Sequence, residues 1–133
     1  MPVEKIEGYE EFIRDTGRII AGFPDAMRNA SIEVANTWIS LAQANANTEY
    51  AHEASQAFGV SHDGEGATIT NSSLVFFGSE FGGQARPETM QFPPYNGRTG
   101  YWFYPARRNN EEQIMAIWDK GVELAMREWN RNG

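Results

Sequence analysis

Apolar residues recur every three or four positions through some stretches of this chain and alternate with polar residues in others, and each pattern predicts an element. Over residues 6–23, positions Tyr9, Phe12, Ile13, Thr16, Ile19, Ile20 and Phe23 follow the spacing of an amphipathic helix, weakened at Gly17 and ended by Pro24. Pro24 and Asp25 then suit the opening turn of a second helix, where a missing N–H costs nothing and a carboxylate meets the positive end of the dipole. That helix carries one stripe of Met27, Ala30, Val34, Trp38 and Leu41, and a shallower one of Ile32, Ala35, Ile39, Ala42 and Ala46. A helix apolar on two faces is either central in its own domain or shared with a neighbouring subunit, and Ile32 and Ile39 are the candidates for sharing.

Residues 50–57 read as a short helix. Residues 58–62 and 67–71 then alternate around Asp63-Gly64-Glu65-Gly66, the clearest hairpin signal in the chain. The apolar run 74–77 reads as a strand approaching Glu80, and 100–104 as another strand closed by Pro105, with Tyr101 and Phe103 on one side and Trp102 and Tyr104 on the other. From Asn109 onward the signal is helical again. Asn109 is placed to cap with Glu112 three residues on, and Ile114, Ile117, Trp118, Gly121, Val122, Ala125 and Trp129 form the buried stripe. Asp119, Lys120, Glu123 and Arg127 mark the wet side. The order predicts a single α+β domain over residues 1–133. Two N-terminal helices lead to a small antiparallel sheet with a long Pro/Gly/aromatic loop, and a C-terminal helix packs on the sheet.

The segment 78–106 breaks the simple patterns. More than half of the aromatic residues lie between Phe76 and Tyr104, and Pro87, Pro93, Pro94 and Pro105 are four of the six prolines, so helix is not expected through most of it. Aromatic and proline side chains give large contact area at low entropic cost, which fits a shaped surface loop followed by a short strand.

Composition narrows the function. At 133 residues and 41% hydrophobic, the chain is long enough to bury a core without staples. Cysteine is absent, so disulfides and thiol chemistry are excluded, and no apolar run reaches the roughly 18 residues of a membrane span. The acidic, amphipathic N-terminus is unlike an export signal. Between Arg28 and Arg86 there is no Lys or Arg, and the net charge is −7, so tight nucleic-acid binding is not expected.

Catalytic and metal motifs fail on inspection. His52-Glu53 starts a zinc-protease pattern, but Gln56 stands where the second His is required. His62 beside Asp63 sits at a hairpin end, where polar residues are ordinary. Glu80, set between Phe77 and Phe81 and flanked by Gly78, Gly82 and Gly83, is the carboxylate whose pKa desolvation would raise. Its structural reading is stronger: an acceptor of backbone N–H groups, or a partner for Arg86, Arg107 or Arg108. No cofactor or metal site is expected.

Ser79-Glu80-Phe81-Gly82-Gly83, then Gln91-Phe92-Pro93-Pro94, then Gly100-Tyr101-Trp102-Phe103-Tyr104-Pro105-Ala106 before an acidic-capped helix, form a set that resembles the minor tail and head–tail joining proteins of long-tailed bacteriophages. The Phe23-Pro24 break before a long Ala-rich helix is similar to the actinobacterial-phage branch, whereas Gly83 stands where the family more often has Thr. The resemblance covers most of the chain, though residues 47–72 match only in general character. It implies a non-enzymatic virion subunit, made in the host cytoplasm, that assembles with itself into a ring, usually six-fold, at the neck. Its partners would be the head–tail connector and tail-tube proteins, with DNA passing nearby and not gripped. Tail completion and tail termination both remain open. On this reading Glu80, Phe81, Arg86, Phe92, Pro93, Pro94, Tyr95, Ile32 and Ile39 are the candidate interface residues, and Asp63 and Glu65 the candidate acidic residues facing a channel. Two rival readings are a sugar- or peptide-binding platform of Tyr95, Tyr101, Trp102 and Tyr104, and a small hydrolase using Glu80.

Overall fold

Helix α1, Phe23–Asn45, begins at the Phe23-Pro24 break and buries most of its first predicted stripe and part of the second in the computed structural model of the chain, which describes residues 2–5, 23–63, 66–83 and 92–132. Met27, Ala30, Val34 and Trp38 are buried on one stripe and Ala35 and Ala42 on the other, with Ile32 and Ile39 half-buried. The predicted helix over residues 6–23 lies outside the described residues except at its last position. Helix α2, Glu49–Ser55, is capped by Thr48, whose Oγ1 accepts the Ala51 N–H at 3.2 Å.

The hairpin forms where alternation predicts it, with β2 at Phe58–Asp63 and β3 at Gly66–Asn71. A third strand, β1 at Pro2–Lys5, pairs antiparallel with β3, giving the order β1-β3-β2. The sequence patterns do not announce β1. Its register is irregular between Pro2 and Glu4, and an edge strand is where proline is tolerated. The fold is α+β, as expected, with five helices among the described residues.

Two predicted strands are helices instead. The run expected over 74–77 turns at Leu74-Val75 and continues as α3, Phe76–Phe81. Asn71 Oδ1 accepts the Ser73 N–H at 2.8 Å and Ser73 Oγ accepts the Val75 N–H at 3.2 Å, so two successive side-chain turns redirect the backbone before α3 starts. The strand expected over 100–104 is a turn leading into α4, Phe103–Arg108. Pro105 is tolerated there because it falls in the first turn, whose N–H groups have no intrahelical partner. Asn109 closes α4, with its N–H on the Pro105 carbonyl at 2.9 Å, and α5 starts at Glu111; the expected cap of the last helix therefore belongs to the helix before it.

Backbone contacts divide the chain into two compact units. An aromatic unit comprises Trp38–Gly59 and Asn71–Glu111, and a sheet unit comprises the described residues of Pro2–Thr37, Val60–Thr70 and Glu112–Gly133. The aromatic unit is built on Trp38, Phe58, Phe76, Trp102 and Phe103. Trp38 stacks on Phe103 at 4.4 Å, Phe58 meets Phe76, Trp102 and Phe103 at 5.4–5.9 Å, and Trp38 Nε1 donates to the Phe103 carbonyl at 2.6 Å.

In the sheet unit α5, Glu111–Asn132, packs on the first part of α1. Met27 and Ala125 form a buried cluster with Ala26, Trp118 and Val122 against it. The helices cross closely at Gly121, where a Cβ would lie 2.6 Å from the Ala30 Cβ. Neither a methyl group nor a helix backbone yields easily. Gly121→Ala is therefore expected to destabilise the chain by about 1–3 kcal/mol through overpacking, despite the better helix propensity of alanine. Adding Ala30→Gly should restore part of the loss in urea titrations. A Gly121→Ala variant more stable than the wild type would show that the crossing is not tight.

Candidate functional site

The segment 76–83 and the segment 92–104 form one assembly around Glu80. Glu80 is 0% exposed, and its two carboxylate oxygens take four successive backbone N–H groups. Oε1 accepts from Tyr101 at 2.5 Å and from Trp102 at 3.3 Å, and Oε2 accepts from Phe103 and from Tyr104, the latter at 3.3 Å. These are the donors that open α4, whose N-cap residue Trp102 makes no side-chain cap of its own. The carboxylate thus caps a helix 21 to 24 residues distant in sequence, with its charge at the positive end of the dipole. Burial pushes the Glu80 carboxyl above its ordinary value of 4.5, and the N–H groups of Phe103, Trp102, Tyr101 and Tyr104 oppose that rise by stabilising the ionised form.

Neighbouring side chains serve the same junction. Ser79 Oγ donates to the Phe76 carbonyl at 2.9 Å and accepts Trp102 Nε1–H at 3.3 Å. Gly100 lies at φ +73° and ψ 169°, a region almost confined to glycine, and a Cβ there would overlap Glu80 Oε1.

Over this hub passes a strap of residues 92–96. Phe92 lies over Gly78 and meets Tyr50 edge-on at 5.7 Å. The Gly83 N–H donates to the Pro93 carbonyl at 2.9 Å and the Asn96 N–H to the Phe81 carbonyl at 2.7 Å, so both sides of the strap are pinned to the end of α3. The Tyr101 hydroxyl donates to the Pro94 carbonyl at 2.7 Å, and Asn96 Nδ2 donates to the Gly100 carbonyl at 3.0 Å. Gly82, at φ +75°, has no room for a side chain beside the Pro93 and Pro94 carbonyls. Held at the crest of the strap, Tyr95 is 77% exposed.

The candidate interface residues therefore divide. Pro94 and Tyr95 are on the surface, whereas Pro93, Phe92 and Phe81 are half-buried, Phe81 between Phe77 at 6.1 Å and Tyr104 at 5.8 Å. Glu80 is interior: it accepts backbone N–H groups as the structural reading expects, and presents nothing to a neighbour. Ile32 lies in the sheet unit and Ile39 in the aromatic unit. Arg86 and Glu65 lie outside the described residues, as does the side chain of Asp63. Trp102, one of four residues expected in an aromatic ligand platform, is buried, and the predicted strand-like alternation of 101–104 gives way to a buried Trp102-Phe103 pair.

Three further exposed residues stand near this assembly without being among the candidate interface residues. Leu74 is 99% exposed at the turn before α3, Phe77 is 46% exposed on α3, and Arg98 is exposed in the 3-10 turn Gly97–Thr99 that follows the strap. The Asn71-Ser72-Ser73 run and the Asn96-Gly97 pair are the turn signals that mark Leu74 and Arg98 for display.

Among the described residues no group of three His, Asp or Glu side chains is gathered as a metal site, and no helix is long and apolar enough to cross a membrane. What the arrangement offers is a braced loop that displays the exposed Tyr95, whose ring lies beside Gly97. Comparison with family models, with curated proteins and with solved structures returns no match to this chain.

Proposed function

We propose that this chain is a structural subunit of a tailed-bacteriophage virion, assembling through the Tyr95 strap into a ring at the junction of head and tail. The observation that carries the reading is the bracing of the strap. Four hydrogen bonds and the seated Phe92 hold the backbone on either side of the exposed Tyr95, and a loop whose backbone is ordered in advance loses less entropy when a partner covers it. The carboxylate with the most unusual environment, Glu80, has both oxygens occupied by the fold's own backbone, which favours a structural role for the 78–106 segment. The set of short motifs resembling phage neck proteins supplies the virion context.

Electron microscopy of particles made without this chain tests the proposal. Full heads beside unattached tails are expected if it joins the two, and overlong tail tubes if it terminates the tail. Complete, infectious particles in its absence would remove the proposal.

A further inference from the structure

Asn96 and Gly97 stand together at the end of the strap, and the pair carries a chemistry of its own. The side-chain amide of an asparagine is open to attack by the backbone nitrogen of the next residue, and a following glycine has no Cβ to obstruct the approach. In that reaction the Gly97 nitrogen bonds to Asn96 Cγ, its proton passes to the departing Nδ2, and ammonia leaves behind a cyclic imide. Water then adds to one imide carbonyl and opens the ring, giving aspartate or isoaspartate, the second of which puts an extra carbon into the backbone path.

The fold holds the reacting atoms apart. Asn96 has ψ 8°, which nearly eclipses the Gly97 nitrogen with the backbone nitrogen of Asn96 itself and turns it away from the side chain. Asn96 Nδ2 is anchored on the Gly100 carbonyl at 3.0 Å, and the Asn96 carbonyl accepts the Thr99 N–H at 3.3 Å. Rotation about the Asn96 Cα–C bond toward the attacking geometry breaks the second bond, and release of the amide breaks the first. Tyr95, Arg98 and Thr99 are exposed around the pair, so water is at hand once it opens. We infer that Asn96 is a deamidation site protected by the closed strap, and that its conversion unlatches the strap irreversibly. An ionised carboxylate only accepts hydrogen bonds, so the product cannot replace the donor to Gly100 and sets two acceptors against each other. The loss reaches the hub, because Gly100 packs against the Glu80 carboxylate. The inference does not depend on the ring reading.

Peptide mass spectrometry with isoaspartate detection, applied to the full chain aged in mildly alkaline buffer, tests it. Asn96 is expected to convert about tenfold or more slowly in the folded chain than in the same chain held in urea. Tyr101→Phe removes the hydroxyl that donates to the Pro94 carbonyl and leaves Asn96 and its partners in place. It should speed conversion of the folded chain about threefold or more and leave the rate in urea unchanged. Asn96→Asp makes one product directly, and hydrogen exchange at the Gly83 and Asn96 amides, which donate across the strap, should then be about tenfold faster than in the wild type. Equal rates in the folded chain and in urea, no conversion in urea, a Tyr101→Phe chain that converts no faster, or strap amides that exchange as slowly in Asn96→Asp as in the wild type would each overturn the inference.

Discussion

Glu80→Ala is expected to unfold the aromatic unit, or to leave it so weakly folded that mild denaturant completes the transition. The substitution removes the acceptor for four N–H groups at the start of α4, of which those of Trp102 and Phe103 belong to buried residues. At about 1–3 kcal/mol for each of these two buried donors left without a partner, the loss is about 2–6 kcal/mol, a large share of the roughly 5–15 kcal/mol that stabilises an ordinary domain. The consequence spreads because α4 carries Phe103, which stacks on Trp38 and Phe58. Urea titration followed by tryptophan fluorescence measures it.

Glu80→Gln separates acceptor geometry from burial. The amide keeps one oxygen for two N–H groups and turns an NH₂ toward the other two, so a smaller but clear loss is expected at neutral pH. A Gln variant as stable as the wild type would show that the second oxygen is dispensable. The pH dependence follows from the direction of the shift. Because burial raises the folded carboxyl above 4.5, the folded state holds the proton more tightly than the unfolded chain. The Glu80 contribution is therefore greatest below 4.5, declines as the pH rises through the folded value, and is constant beyond it. The stability difference between the wild type and Glu80→Gln should narrow as the pH rises from 4.5 and then level off. A difference that widened with pH would reverse the assignment of burial as the larger influence.

Gly100→Ala is expected to damage the same junction from the opposite side. Its backbone conformation alone costs a side-chain-bearing residue about 1–3 kcal/mol, and the added Cβ would occupy the position of Glu80 Oε1. The carboxylate must then move away from the Tyr101 and Trp102 N–H groups. Combining Gly100→Ala with Glu80→Ala isolates that effect: once the carboxylate is gone, only the backbone strain remains. The double variant should be less destabilised than the sum of the singles by about 0.5–3 kcal/mol, the range seen for residues in contact. Strict additivity would mean that Gly100 is selected for its backbone angles and not for the space it leaves.

The parts of the fold legible in the sequence are those whose hydrogen bonds are local or whose period is long enough to count. Pro24-Asp25 opens α1 and its first stripe is largely buried, β2 and β3 lie on either side of the predicted hairpin signal, and Ile114, Gly121 and Ala125 of the predicted C-terminal stripe are buried. The candidate site is legible only in its outline. Tyr95 and Pro94 emerge on the surface, but Glu80 and Trp102 are interior, and Arg98 and Leu74 carry no periodic signal at all.

Residues 74–81 and 100–108 show why. Their apolar runs are too short to distinguish a strand from a helix by period, and Pro105 argues against helix unless the start of the helix is known. A six-residue helix such as α4 is far below the length at which a helix sustains itself in water, so its existence depends on partners outside it. That partner is Glu80, brought to the first turn of α4 by α3 and by the shape of Gly100. The sequence by itself determined the long helices, the hairpin and an aromatic, proline-rich segment too irregular for one element. Only the tertiary structure decided that this segment is two short helices joined through a buried carboxylate with a strap pinned beside it, because the hydrogen bonds that start α4 join residues more than twenty positions apart.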